Sequence, residues 1–478
     1  MKLLKTKSYI NGEWKTGQQK FNVYNPYDGS VIAAVEDLNK ADCHEAIIVA
    51  HDAFKKWRKY TAGERAQILK KWYDLQMEHA EELAKILTLE QGKPFQEALG
   101  EVKYGASFVE WFAEEARRNY GDVIPGHHRD KRITIIKQPV GVVAAITPWN
   151  FPNAMISRKV APALAAGCTV VIKPPQLTPL SALALAELAD QAGFPPGVIN
   201  IITTSQAKEV GQEMCSHPLV RKLSFTGSTG VGKILMKQCV DTVKKVSMEL
   251  GGNAPFIIFN DADIGLAVQG AIDSKFRNAG QTCVCTNRIF VQDEVYDEFV
   301  QKFAQAVSQL KIGNGMEERT DIGPLIEEKA ILFVEEVVRD ATVMGATVLA
   351  GGKRQGGSDS LIYEPTIIAD ATRDMKVFQE EIFGPVAPVF KFNTEEEVIE
   401  MANDTPYGLA SYFYGRDYAM IWRVAEALEY GMVGINTGTI STTVAPFGGI
   451  KESGFGREGS KYGMDDYLEI KYMCWGKI

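Results

Sequence analysis

Two thiols stand one residue apart in Phe276-Arg277-Asn278-Ala279-Gly280-Gln281-Thr282-Cys283-Val284-Cys285. A cysteine sulfur is a strong nucleophile toward carbonyl carbon. Cys283, preceded by Gly280 and Thr282, has few bulky neighbours to shield it. Free cysteine is also among the most buried residue types, so the pair needs other reactive groups before it reads as chemistry. Four further segments supply candidates, each at the end of an apolar run. Met248-Glu249-Leu250-Gly251-Gly252 sets a carboxylate between apolar residues, where burial raises a pKa and makes a usable base. Ile146-Thr147-Pro148-Trp149-Asn150-Phe151-Pro152 holds an asparagine in a loop stiffened by prolines, able to donate an amide N–H to a developing oxyanion or to cap the next helix. Val171-Ile172-Lys173-Pro174-Pro175-Gln176 ends on a lysine that could reach a ribose or phosphate. Phe225-Thr226-Gly227-Ser228-Thr229-Gly230-Val231-Gly232-Lys233 is a glycine-rich turn of the kind that cradles phosphate at a helix N-terminus. Ile234 stands where a P-loop needs a hydroxyl for Mg²⁺, so nucleoside triphosphate hydrolysis is not expected.

These groups meet only if the chain brings strand ends together. From Val140 the pattern alternates strand and helix: strands over 141–146, 168–173, 198–202, 222–225 and 245–249, helices over 155–166, 180–192, 207–215 and 231–240. That alternation predicts an α/β fold with a doubly wound parallel sheet, which binds dinucleotides at its strand C-termini. A second run of αβ elements from Ala254 to about Gly449 predicts a second such lobe, with Cys283 in the cleft between them. Before these come short strands over 8–36 and a helical pattern from Lys40 to about Tyr120: Ala46, Ile47, Ala50, Ala53, Phe54 and Trp57 recur at helical spacing, a second helix runs from Gly63 to Glu90 and a third from Phe95 to Asn119, with Phe108, Trp111 and Phe112 expected in the core. Segments 131–138 and 467–478 read as extended ribbons that would pair with a neighbouring subunit. The expected domains are therefore 1–120 with 140–252 for dinucleotide binding, 253–452 for catalysis, and 121–139 with 453–478 as a small β-ribbon oligomerisation arm and tail.

Composition narrows the partners. The 478 residues are 45% hydrophobic with a net charge of −8, which gives no electrostatic reason to bind nucleic acid or an acidic membrane. No stretch approaches the roughly 18 to 20 apolar residues of a membrane span, and the basic start Met1–Lys7 has no apolar run behind it. Seven scattered cysteines suit a reducing, cytoplasmic setting better than a disulfide framework. Cys-x-Cys lacks a second pair and a nearby histidine, so no metal site is expected. A thiol, a carboxylate base and a dinucleotide fold together point to oxidation of a carbonyl through a thioester. A thiol-dependent acyl transferase or hydrolase is the rival, and it would want a histidine and no cofactor.

Thr147-Pro148-Trp149-Asn150-Phe151-Pro152, Phe225-Thr226-Gly227-Ser228, Met248-Glu249-Leu250-Gly251-Gly252, Gly280-Gln281-Thr282-Cys283 and Glu380-Glu381-Ile382-Phe383-Gly384-Pro385 occur in that order. The chain thereby resembles the NAD(P)-dependent aldehyde dehydrogenases over essentially its whole length. Lys275 to Cys285, Ala445 to Lys451 and Glu469 to Cys474 resemble the succinate-semialdehyde branch. The resemblance implies Cys283 as nucleophile, Glu249 as general base, and Asn150 with the Cys283 main-chain N–H as oxyanion hole. It implies Glu381 on the nicotinamide ribose, Phe383 beside the ring and Lys173 on the adenine ribose, with Thr147, Trp149, Gly227, Ser228, Gly232 and Leu250 lining the cofactor groove. It implies Arg158, Arg277 and Ser441 on the substrate's distal carboxylate, hence a short ω-carboxy aldehyde, with a broad-specificity aldehyde dehydrogenase as the alternative. Gln176 stands where many NAD-preferring members carry glutamate, which favours NADP, with NAD usable. A homo-oligomer, dimer or tetramer, is implied. Cys285 raises the further prospect of a reversible disulfide with Cys283.

Overall fold

The computed structural model describes residues 1–477. Strands Val142–Ile146 and Thr169–Lys173 are buried along their full length. Such unbroken apolar runs form parallel strands covered on both faces, and they build the middle of an eight-stranded sheet. Its order is Glu13–Lys15, Ser8–Ile10, Ile199–Ile201, Thr169–Lys173, Val142–Ile146, Val220–Thr226, Lys245–Glu249, Gly454–Phe455. The central five strands are parallel. From Val142–Ile146 the chain runs outward to one side, then returns to lay Val220–Thr226 on the other, so the strand order reverses between these two. Loops diverge at such a reversal and leave a crevice at the strand C-termini. The register pairs Lys173 with Ile146, Ile146 with Phe225, and Thr226 with Glu249. Four motifs far apart in sequence thus form a row along one sheet edge.

A second, seven-stranded sheet runs Thr347–Ala350, Thr366–Ala369, Val386–Phe392, Thr286–Gln292, Ala254–Ile258, Ala410–Tyr414, Met432–Ile435. It is parallel except where Thr347–Ala350 pairs with Thr366–Ala369. The loop 276–285 enters the strand Thr286–Gln292 from its N-terminal end, which turns Cys283 toward the first sheet's crevice.

The structure redraws some expectations. The predicted helix 63–90 is two helices, Ala62–Glu78 and Ala80–Gln91, broken at His79 (φ −102, ψ 17). No glycine or proline marks that break, so apolar spacing runs through it unnoticed. Glycine does mark the end: Gly92 takes the left-handed conformation. The two ribbons pair with each other along Lys131–Pro139 and Leu468–Gly476, and Asp122–Ile124 adds a third strand. The tail from 453 is not all arm. Gly454–Phe455 pairs antiparallel with Met248 and Glu249, so this segment closes the first sheet beside the candidate base.

Candidate active site

A cleft of about 540 Å³ lies where the two lobes face each other. It is lined from the first lobe by Trp149, Asn150, Arg158, Gly227, Ser228 and Leu250, and from the second by Arg277, Cys283, Glu381, Phe383 and Ser441. Eleven sequence candidates are therefore brought to one cavity. Five others stand off its lining. Glu249 ends its strand beside Thr226, itself a wall residue. Thr147 opens the asparagine loop, its N–H donating to the Lys173 carbonyl (3.3 Å). Lys173 is buried, Gln176 is exposed, and Gly232 packs under Leu250.

The loop that presents Cys283 is held in a strained shape. Asn278 (φ 53), Ala279 (φ 55) and Gly280 (φ 76) are all left-handed in succession, a conformation that non-glycine residues adopt only at a cost. Hydrogen bonds offset that cost. The Asn278 main-chain N–H donates to Glu97 Oε2 (2.8 Å), and its Nδ2 to the carbonyls of Asn150 (3.0 Å) and Gln281 (3.2 Å). Gln281 returns a bond from Nε2 to the Asn278 carbonyl (3.1 Å) and accepts one from the Ile326 N–H (3.0 Å). Asn150 Nδ2 donates to the Gln281 carbonyl (2.9 Å), leaving its second N–H without a protein acceptor among the described residues. The Cys283 main-chain N–H likewise has none. Two free donors beside one sulfur are what an oxyanion needs. Cys285 turns away: its thiol donates to the Lys275 carbonyl (2.9 Å), and all seven cysteines are free thiols.

Burial dominates the electrostatics. It pushes the Cys283 thiol up to about 12; Arg158 and Arg277 oppose, Glu381 and Glu249 reinforce. Burial raises Glu249 well above the ordinary carboxylate range, helped by Glu458 and opposed by Arg158, and neither Glu249 oxygen has a hydrogen-bond partner. Burial brings Glu381 up to about 7 against the pull of the Gly252 N–H, which donates to its Oε1 (2.9 Å), and of Lys275. Phe383 also lies at positive φ (51°), rare for a bulky residue, and its ring meets Trp149 edge-on at 5.7 Å across the cleft.

The two arginines differ. Arg158 Nη2 lies 2.8 Å from Glu458 Oε2, which leaves it paired, and Lys159 holds the other oxygen at 2.6 Å. The Arg158 contact is charge against charge, not an aligned hydrogen bond, and its guanidinium stacks 4.0 Å over Phe447. Arg277 has no carboxylate within ion-pair distance among the described residues, and faces the cavity beside Phe151. Sequence reasoning missed Glu458, and also Glu97, Glu101 and Tyr104 on the near wall. The last three recur at helical spacing on Phe95–Glu115, a polar stripe readable in retrospect.

A dinucleotide fits these residues. Ser228 caps the helix Thr229–Cys239 without covering its N–H groups, and a Cβ on Gly232 would lie 2.5 Å from Leu250 Cδ2, so glycine lets this helix pack against the cleft wall without displacing the Leu250 side chain. Fold and site together define a thiol-dependent oxidoreductase built on two α/β lobes. The chain belongs to the aldehyde dehydrogenase family, whose signature matches residues 14–473. It is 59% identical over 478 residues to the NADP(+) succinate-semialdehyde dehydrogenase of Escherichia coli K12, covering 99% of this chain and 98% of that one. It is 59% identical over 474 residues to a glutarate-semialdehyde dehydrogenase of Pseudomonas putida, again covering 99% and 98%. A crystal structure described as an E. coli NADP dependent enzyme superposes with a TM-score of 0.98 at 58% identity, covering 99% of both chains.

Proposed function

We propose that this protein oxidises succinate semialdehyde, or an ω-carboxy aldehyde of similar length such as glutarate semialdehyde, to the dicarboxylate with NADP, through a thioester on Cys283. The observation that carries the substrate class is Arg277: a cation without an ionic partner, in the same cavity as the sulfur. Arg277 is half-buried in the cleft, where a charge is less well solvated than in open water, and a substrate carboxylate would supply its counter-charge. Ser441 lines the same cavity and offers a hydroxyl. Arg158, occupied by Glu458, would contribute at longer range. The E. coli and P. putida relatives, named for the two semialdehydes, support the same class.

In this reading Cys283 loses its proton to solvent, its sulfur adds to the aldehyde carbon, and the oxygen charge is taken by the Asn150 amide and the Cys283 N–H. NADP, when bound, would supply the hydride acceptor for the collapse of this charge. Glu381 and Phe383 would hold and orient the nicotinamide end, and Lys173 with the neutral Gln176 would accept the 2′-phosphate end. Glu249 then takes a proton from water, which attacks the thioester and frees the acid and the thiol. Seven free thiols suit a reducing compartment such as the cytoplasm. The exposed apolar arm suits a homo-oligomer. Among the described residues, no helix is long and apolar enough to cross a membrane.

Arg277→Met tests the substrate. A charge-assisted hydrogen bond contributes about 1.5 to 3 kcal/mol, so kcat/KM for succinate semialdehyde should fall by about 10- to 100-fold while that for butyraldehyde stays nearly level. Equal losses on both aldehydes, or equal wild-type kcat/KM for the two, would remove the carboxylate pocket. A hundredfold preference for NAD in the wild type would remove the reading of Gln176.

A further inference from the structure

The Asn150 main-chain carbonyl accepts two donors, Lys93 Nζ from the first lobe (2.8 Å) and Asn278 Nδ2 from the thiol loop (3.0 Å). Lys93 Nζ also pairs with Glu101 Oε2 at 2.6 Å, and both side chains are 1% exposed. The other oxygen, Glu101 Oε1, accepts the N–H groups of Asn153 (3.0 Å) and Ala154 (3.2 Å), where the helix Ala154–Ala166 begins. One buried ion pair thus grips the turn 150–154 at both ends. The ammonium also lies 3.8 Å over the Phe151 ring, the residue between the gripped ends. The Lys93 segment is itself seated on the second lobe: Phe95 N–H donates to the Gly315 carbonyl (2.8 Å).

A buried ion pair is weak as a source of stability, because the desolvation of two charges offsets their attraction. Its geometric effect here is large. Fixing the Asn150 carbonyl fixes the peptide plane from which the Asn150 side chain projects. An oxyanion donor must stand within 2.7 to 3.1 Å of an oxygen that exists only during the reaction, and about 1 Å of error costs about a hundredfold. We infer that Lys93 and Glu101 are positioning residues for the oxyanion step, holding the Asn150 amide where the aldehyde oxygen gains its charge. This rests on Asn150 being an oxyanion donor, and the test separates the two claims.

The variant K93M/E101Q removes both charges together, so no unpaired ion is left in the core, and the glutamine still offers an acceptor to Asn153 and Ala154. The measurement is the pre-steady-state burst of reduced cofactor with succinate semialdehyde, beside a fluorescence titration of NADP binding. The burst rate should fall about a hundredfold with NADP affinity within about twofold. In an N150A background the same pair of changes should slow the burst by less than about twofold, because their route through Asn150 is already cut. A wild-type burst in K93M/E101Q overturns the positioning role. So does a loss that multiplies in full upon N150A, which is what general destabilisation would give. A wild-type burst in N150A alone overturns the oxyanion reading instead. Should K93M/E101Q fail to fold, E101Q alone carries the same cycle, with a smaller loss of about tenfold that again must vanish in N150A.

Discussion

Single side chains set the pH behaviour. Burial alone brings the Lys173 ammonium down to about 8. Its charge is present below that value and lost as pH rises through it. A 2′-phosphate would therefore bind well at neutral pH and progressively less well above about pH 8, while NAD, which lacks that group, would not feel the change. KM for NADP should climb above pH 8 and KM for NAD stay level; Lys173→Met should flatten the difference. A parallel rise in both would dissociate Lys173 from the phosphate. Glu249 runs the other way. Its pKa is raised, so the carboxyl is neutral where most carboxylates are charged, and the basic form grows as pH rises. Thioester hydrolysis should quicken with pH for that reason. Glu249→Gln should keep the burst of reduced cofactor, slow the steady state by about a hundredfold or more, and lose the pH slope. An undiminished steady state in that variant would take Glu249 out of the mechanism.

Elements, not residues, decide whether these groups meet. The loop 276–285 passes so close to the Phe383 segment that a Cβ on Gly280 would collide with the Gly384 carbonyl, and Gly280 is left-handed (φ 76) as well. Gly280→Ala has no way to relax, since its obstacle is main chain. The variant should shift both Cys283 and Phe383, cutting burst rate by about a hundredfold and lowering the melting temperature; alkylation of Cys283 by iodoacetamide at fixed pH reads the displaced thiol directly. Full burst activity in that variant would show the loop to be pliant. Much of this was legible in the chain. Strand ends announced themselves because parallel strands buried on both faces read as apolar runs, and Lys173, Glu249 and the Asn150 loop sit where such runs stop. What stayed hidden was partnership across distance. Nothing near Arg158 in sequence says that Glu458 will occupy it, and nothing near Asn150 points to Lys93, because period and turn chemistry report a residue's own element and not the surface packed against it. The break at His79 was missed for the complementary reason: no glycine or proline marks it, although a cap bond from its N–H to Leu75 does.

At the scale of the whole molecule the two lobes make the cavity, while the arm leaves much of its apolar surface exposed. Leu468–Gly476 and Lys131–Pro139 pair over nine residues each, yet Val123 is 80% exposed, Ile470 72% and Trp475 52%. A three-stranded ribbon with apolar residues on its open face and a free edge strand is a surface that a second copy would suit. Stable interfaces bury about 1,200 to 2,000 Å² in total, so an assembly through the ribbon would gain from also recruiting the lobe beside it. Leu468 and Tyr467 are buried against the first lobe's core and belong to the fold, which gives a clean cut: a chain ending after Leu468 keeps both sheets and loses the outer strand. Sedimentation of the intact protein at micromolar concentration should give a dimer or tetramer, and the shortened chain a smaller species whose single-turnover hydride step survives, because no residue of 469–477 lines the cavity. Intact protein sedimenting as a monomer would make the exposed ribbon face an ordinary surface and end the case for assembly through it.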